Sequence, residues 1–277
     1  MLRASVRKKI KGWLSEIDAR IFELLLKQQS ISGIAGSTAE IGLHHGKSFI
    51  FLCTSLRPDE SAYGIDLFDL QNLNLDSSGK GDREILLENL RKFDFDTSKV
   101  VLDQRASESV NSSDILSAVG EIRFFSIDGG HWYSTVLNDL ELAKECSKIG
   151  GIIALDDYLR PEWPDVARGF HVWYEKNSKD FAVIAIGFNK IYLTHPSWVV
   201  RYRETLLQDK VMNSMLSKFY SIQDESIPIY TVFFHPDMTK KVRLKNYLKM
   251  YHPKIYTMCW AFLKTLPSRR SLSKKAV

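Results

Sequence analysis

From residue 38 to residue 195 short apolar runs alternate with helix-length amphipathic stretches. The runs are Thr38 to Leu43 (TAEIGL), Tyr63 to Leu67 (YGIDL), Lys99 to Asp103 (KVVLD), Phe124 to Asp128 (FFSID) and Ile152 to Asp157 (IIALDD). Between them, Phe49 to Leu56, Arg83 to Phe93, Asn111 to Val119 and Trp132 to Lys148 carry apolar residues at helical spacing. A further helix is expected around Phe170 to Lys176. Near-continuous apolar strands that alternate with helices predict a parallel sheet covered on both faces. Two last runs, Phe181 to Gly187 and Lys190 to Thr194, are separated only by Phe188-Asn189, which permits an antiparallel hairpin and nothing longer. The predicted fold is therefore α/β, a doubly wound, mostly parallel, Rossmann-like sheet with an antiparallel terminal hairpin.

The flanks follow other patterns. Residues 5 to 29 place Ile10, Trp13, Leu14, Ile17, Ile21, Leu24 and Leu25 on one side of a basic amphipathic helix, and residues 30 to 37 are a small-residue linker. After Pro196, Val199 to Phe219 reads as a charged helix, Ile227 to Phe234 as a strand, and Lys241 to Met250 and Ile255 to Leu266 as helices. The expected division is an N-terminal helix and linker (1–34), a Rossmann-like domain (35–195) and a C-terminal α+β accessory region with a basic tail (196–277).

With 277 residues and 44% hydrophobic content the chain can bury a full core. The net charge of +5 arises largely at the two ends, from Arg3, Arg7, Lys8, Lys9 and Lys11 and from Arg269, Arg270, Lys274 and Lys275. Solvated tails account for this, so nucleic acid is not expected as a partner. Peripheral contact with an anionic membrane surface and a homo-oligomer stay open. Cys53, Cys146 and Cys259 are far apart with no CxxC pair and read as thiols. There is no signal-peptide core near the start and no uncharged run approaching the ~20 residues of a membrane span. The expectation is a soluble, cytoplasmic protein.

The candidate chemistry lies at strand ends. In an open parallel sheet, ligands bind outside the carboxyl ends of the strands. Here those ends carry Asp66, Asp128 and the pair Asp156-Asp157. His131 follows Asp128 in a Gly-Gly-His turn, well placed as a general base with a reference pKa of ~6.5. Gly42 to Ser48 (GLHHGKS) joins the first strand to a helix, a geometry that presents free N–H groups to a ligand. A phosphate-binding P-loop needs four residues between its glycines, and Gly42 and Gly46 enclose three. The other reading is a nucleoside-binding turn, with Glu40 inside the strand end. Asp66, about two dozen residues on, would then accept the two ribose hydroxyls. The polar stretch Asp69 to Asp82 is long for a compact fold and reads as a lid or substrate loop. Helix caps at the acids and a purely structural turn at Gly42 are the bland alternatives. Acids at three neighbouring tips favour a site.

With these motifs in place, the chain resembles the class I S-adenosylmethionine-dependent methyltransferases. It is most similar to the branch that holds the macrolide-sugar and aminocoumarin-sugar O-methyltransferases and the CmcI-like proteins of cephalosporin biosynthesis. TAEIGLHHGKS, YGIDLFD, FFSIDGGHWYSTVLNDL, GGIIALDDY, the EWPDVARG loop and NKIYLT carry the resemblance over about residues 35 to 195. It implies S-adenosyl-L-methionine as cofactor, held by Glu40, Gly42, Gly46, Ser48, Asp66, Ser107 and Asp128. Glu40 and Gly42 would face the methionine portion, Asp66 the ribose, Ser107 the adenine and Asp128 the sulfonium. It also implies a divalent cation, usually magnesium, on Asp128, Asp156 and Asp157. The acceptor would be a hydroxylated small molecule, such as a sugar, with His131 and Asp128 catalytic. The turn departs from the family in one place, because Gly130-His131 stands where an aspartate often follows the glycine. A nucleotide-binding P-loop-like enzyme and a non-catalytic methyltransferase-fold interaction module are the competing readings.

Overall fold

The computed structural model describes residues 9–75, 77–222, 225–230 and 240–265. The first helix, α1 (Glu16–Ile31), starts later than its periodicity predicts. Ser15 caps it by accepting the Asp18 N–H at 2.9 Å, and Gly12, at φ +139°, turns the chain just before it. Ile17, Ile21, Phe22, Leu25 and Leu26 face the core, whereas Trp13 is 67% exposed and lies outside it. Residues 5–8 of the expected helix lie outside the described residues.

The alternating unit then follows in order: β1 (Ser37–Ile41), α2 (Phe49–Thr54), β2 (Ala62–Ile65), α3 (Arg83–Arg91), β3 (Val100–Asp103), α4 (Ser112–Val119), β4 (Ile122–Ile127), α5 (Tyr133–Cys146) and β5 (Ser147–Leu155). After α6 (Pro164–Asn177) come β6 (Ala182–Ile186) and β7 (Ile191–Thr194). With β8 (Lys218–Ile222) and β9 (Glu225–Ile229) further along the chain, the sheet order is β3-β2-β1-β4-β5-β7-β6-β9-β8. β1 to β5 pair in parallel, and β7 pairs antiparallel with both β5 and β6. This is the doubly wound, mostly parallel sheet with an antiparallel hairpin that the pattern predicts. β1 lies between β2 and β4, so the winding reverses there and a crevice opens above the carboxyl ends.

The apolar runs are continuous because both faces are covered. Phe124 and Ile152 join one buried cluster, with Phe22 and Phe49, while their neighbours Phe125 and Ile153 join the other, with Leu140 and Phe170. Cys53 and Cys146 are buried free thiols and Cys259 is exposed.

After β7 the structure departs from the predicted single helix over 199–219. α7 (Pro196–Gln208) ends at Asp209, whose carboxylate caps α8 (Lys210–Met215) by accepting the N–H groups of Val211 and Met212. Residues 218–222 are then a strand, β8 (Lys218–Ile222), paired with β9 (Glu225–Ile229). β8 is an edge strand in which Lys218, Phe219 and Tyr220 are all exposed, so it carries no alternation that a sequence could show. Residues 231–234 of the predicted strand lie outside the described residues. The hairpin extends the main sheet through a parallel pairing of Ile186 with Ile229. Tyr202, Leu206, Met212, Met215 and Tyr256 pack into the same buried cluster as α1. Two helices, α9 (Lys240–Tyr251) and α10 (Pro253–Thr265), close the described chain. Among the described residues no helix is long and apolar enough to cross a membrane.

Candidate functional site

The main cavity, about 450 Å³, opens above the carboxyl ends of β1, β2, β4 and β5. Its floor is set where β1 meets β4. A Cβ on Gly42 would stand 1.7 Å from the carbonyl oxygen of Asp128, so only glycine lets the two strand tips approach this closely. Gly42, Asp66 and Ser107 line the cavity from beyond the ends of β1, β2 and β3, and Asp128, His131, Asp156 and Asp157 from beyond those of β4 and β5. Glu40, Gly46 and Ser48 do not line it. Glu40 is wholly buried behind the turn, where it accepts a hydrogen bond from Ser126 Oγ at 2.9 Å. Ser48 is buried beside it at the start of α2.

Asp66 organises the turn it faces. Its Oδ2 accepts the N–H groups of Leu43 at 2.7 Å and His44 at 2.8 Å, and its Oδ1 accepts that of Phe68 at 2.6 Å. Each carboxylate oxygen carries two lone pairs, so Oδ1 keeps capacity for one more donor. The stretch 69–82 lies over this side. Gln71, Asn74 and Gly79 line the cavity, and a Cβ on Gly81 would stand 2.6 Å from Asp66 Oδ1. Lys47, the lysine of the P-loop reading, points elsewhere, with its Nζ donating to the Gly12 carbonyl at 2.7 Å. That leaves no lysine in the turn aimed at a phosphate, which removes the support for the nucleotide reading. His44 and the exposed Trp13 sit at the cavity mouth with ring centroids 5.2 Å apart, and burial pushes the His44 imidazole down to about 4.

The other side is a packed group of charges. His131 Nε2 lies 2.8 Å from Asp157 Oδ2, and the imidazole stacks on Trp163 at 4.2 Å with ring planes 11° apart. Asp157 Oδ1 accepts Asn189 Nδ2 at 2.7 Å. Asp157 is in the left-handed region at φ +57°, which aspartate tolerates better than bulkier residues. His131 and Asn189, with Lys190 nearby, hold its carboxyl below the usual range despite burial. Burial and the neighbouring Asp156 push Asp128 well above that range, against the pull of Lys190.

The acids divide differently from the expected set of three aspartates. Asp128, His131 and Asp157 each offer one ligand atom within 4.8 Å of the others, a grouping able to hold a cation. Asp156 sits just behind them and is turned to other partners. Its Oδ2 accepts Lys190 Nζ at 2.5 Å, and its Oδ1 accepts Asn189 Nδ2 and the Asp157 N–H, both at 2.9 Å. Lys190 is 1% exposed, with its Nζ also 4.0 Å from Asp128 Oδ2. Three acids outweigh its burial and hold it protonated. Asn189 and Lys190 are the residues that a strand-tip reading misses. A signal existed: a hairpin whose second strand pairs antiparallel with β5 must turn at the carboxyl edge, so the turn's polar residues arrive at the site.

Besides Asp128, three buried acids around the site have raised pKa values. Burial pushes Glu40 and Asp139 up to about 7 and Asp18 up to about 6. An acid raised on folding contributes stability that is complete below its unfolded pKa and is lost as pH rises through its folded value. The contribution of these acids to the unfolding free energy is therefore expected to be lost between about pH 5 and pH 8. Asp157 and Glu60, shifted downward, act only at lower pH. Denaturant titrations across that window should show a shallower fall for Glu40→Gln than for the wild type. Parallel profiles for the two proteins would remove Glu40 from this account.

The comparisons agree with this architecture. Residues 39–158 match the family model described as a methyltransferase domain, a span that runs from β1 to the end of the acid-bearing stretch. No curated protein matches the chain by sequence. The structure of the O-methyltransferase NovP superposes with a TM-score of 0.53 at 15% identity, covering 64% of this chain and 79% of that one. The O-methyltransferase from Bacillus cereus in complex with SAH superposes at 0.50 and 15% identity, covering 70% and 91%. Both likenesses are of fold.

Proposed function

We propose, proceeding from a methyltransferase domain at residues 39–158, that the chain is an S-adenosylmethionine-dependent O-methyltransferase acting on a hydroxylated small molecule such as a sugar, assisted by a divalent cation. The observation that carries this reading is the two-sided cavity. A glycine turn and Asp66 lie on one side, and Asp128, His131 and Asp157 converge on the other. The donor supplies an electrophilic methyl group, and the acceptor oxygen must be deprotonated and aimed at it in line.

On the donor side, Gly42 lets the backbone approach the ligand and Asp66 offers its spare lone pair to a ribose hydroxyl. Ser107, which also lines the cavity, would lie toward the adenine. On the acceptor side, the Trp163 face fixes the plane of the His131 ring, and Asp157 fixes its rotation. An imidazole so held is positioned to take the hydroxyl proton, and Asp157 stabilises the imidazolium that results. A cation held by Asp128 and Asp157 would lower the pKa of the acceptor hydroxyl, with the His131 imidazole acting as base and not as a ligand. Two carboxylates suit magnesium.

Two measurements test this reading. Calorimetry with S-adenosylhomocysteine should show binding, weakened ~10- to 100-fold in Asp66→Ala, which loses both the ribose contact and the anchor of the turn. Methyl transfer to a panel of sugars and phenols should vanish in EDTA and return with Mg²⁺ or Mn²⁺. Absence of S-adenosylhomocysteine binding would overturn the assignment, and full activity in EDTA would remove the cation from it.

A further inference from the structure

We propose that the α9–α10 helix pair is a docking surface for a bilayer rich in anionic lipid headgroups, holding the enzyme at a membrane surface. The first observation is charge. Residues 240–277 contain eleven of the chain's 38 Lys and Arg residues and no Asp or Glu, which leaves 27 basic residues against all 33 acids in the part before them. The body of the protein is thus acidic and its C-terminal part strongly basic. A negative surface attracts one and repels the other, which orients the molecule as well as binding it.

The second observation is apolar. Leu244, Tyr247 and Tyr251 recur at i, i+3 and i+7 along α9, so they share one stripe, and all three are exposed. Ile255 and Met258 form an exposed stripe on α10. Leu244 is 59% and Met258 73% exposed, although Tyr256, the core-facing residue of α10, is buried. Toward the turn between the helices the Tyr247 ring lies 4.9 Å from that of Tyr251 and 5.9 Å from His252. Lys245 and Lys254 are exposed next to these side chains.

Aliphatic and aromatic side chains set among lysines match an interfacial helix, which sinks its apolar stripe to the acyl boundary and leaves ammonium groups among the headgroups. Nucleic acid offers phosphates but nothing for exposed leucine and methionine to enter, so the apolar stripe favours lipid. The described helices are too short and too polar to span a bilayer, so the contact is peripheral.

Sedimentation of the full chain with vesicles tests this. Phosphatidylcholine mixed equally with phosphatidylglycerol should carry the protein down at low salt, phosphatidylcholine alone should not, and about 0.5 M salt should release it. Each basic side chain near the surface is worth about fivefold in partitioning, so Lys245→Glu/Lys254→Glu should weaken it by at least ~25-fold. Leu244→Ser/Met258→Ser, which leaves every charge in place, should weaken it by about tenfold. Both double variants change exposed positions, and unchanged thermal melts would confirm that they fold. Failure to sediment with anionic vesicles would overturn the proposal, as would equal binding to neutral ones. Binding to single-stranded RNA without binding to vesicles would overturn it in favour of a nucleic-acid surface.

Discussion

Asp157→Ala is expected to lower kcat by about 10³-fold or more while leaving the affinity for S-adenosylhomocysteine within about threefold. The asymmetry follows from where the carboxylate stands. Its oxygens meet His131 Nε2 at 2.8 Å and Asn189 Nδ2 at 2.7 Å, both on the proposed acceptor side, while the proposed donor side rests on the Gly42 turn and Asp66. Removing it frees the imidazole to rotate, removes the charge that stabilises an imidazolium and deletes one ligand atom of the candidate cation set. Asp157→Asn separates these roles, because the amide keeps a hydrogen bond but neither the charge nor a good metal ligand. Single-turnover methyl transfer beside calorimetry would read both quantities. A variant with more than about a tenth of wild-type turnover would remove Asp157 from the chemistry, and one that lost donor binding in proportion would make its role structural.

Lys190→Met is expected to cost about 3–5 kcal/mol of folding stability. Methionine fills a similar volume without the charge. The wild-type ammonium sits 2.5 Å from Asp156 Oδ2 and 4.0 Å from Asp128 Oδ2, and it also acts electrostatically on buried Glu40. Without it these carboxylates must be buried as uncompensated charges or take up protons. The deficit should therefore shrink as the pH falls toward about 4, where the acids neutralise themselves. Urea denaturation at several pH values would show this. A loss below about 1 kcal/mol, or one independent of pH, would mean that the ammonium does not hold the acids together. Activity should fall as well, because Asp156 carries Asn189 and, through it, the orientation of Asp157.

Much of the site was legible because strand ends are legible. An apolar run that stops on a carboxylate marks both an element and its functional end, and Asp66, Asp128, Asp156 and Asp157 were found that way. The turn at Gly42 could be located but not interpreted. Whether Glu40 reaches the ligand or packs behind it depends on the side to which the strand twists its side chain, and Glu40 proved to be wholly buried. The division of the acids was not legible at all. Asp156 and Asp157 are adjacent in the chain, yet one pairs with a lysine from a distant hairpin and the other with a histidine from the preceding strand end.

The sequence by itself determined the order of strands and helices from 38 to 194, the parallel core, the hairpin that follows it and the edge of the sheet where the acids gather. Each of these follows from local periodicity, loop length and the polarity of the residues at strand ends. Tertiary structure alone decided that 218–222 is an edge strand, because its pairing rather than its pattern makes it one. It also decided that Lys190 enters the acid cluster and that His131, not Asp156, stands with Asp128 and Asp157. Burial and charge pairing depend on residues far apart in the chain, and their balance exists only once the sheet has brought them within a few ångströms.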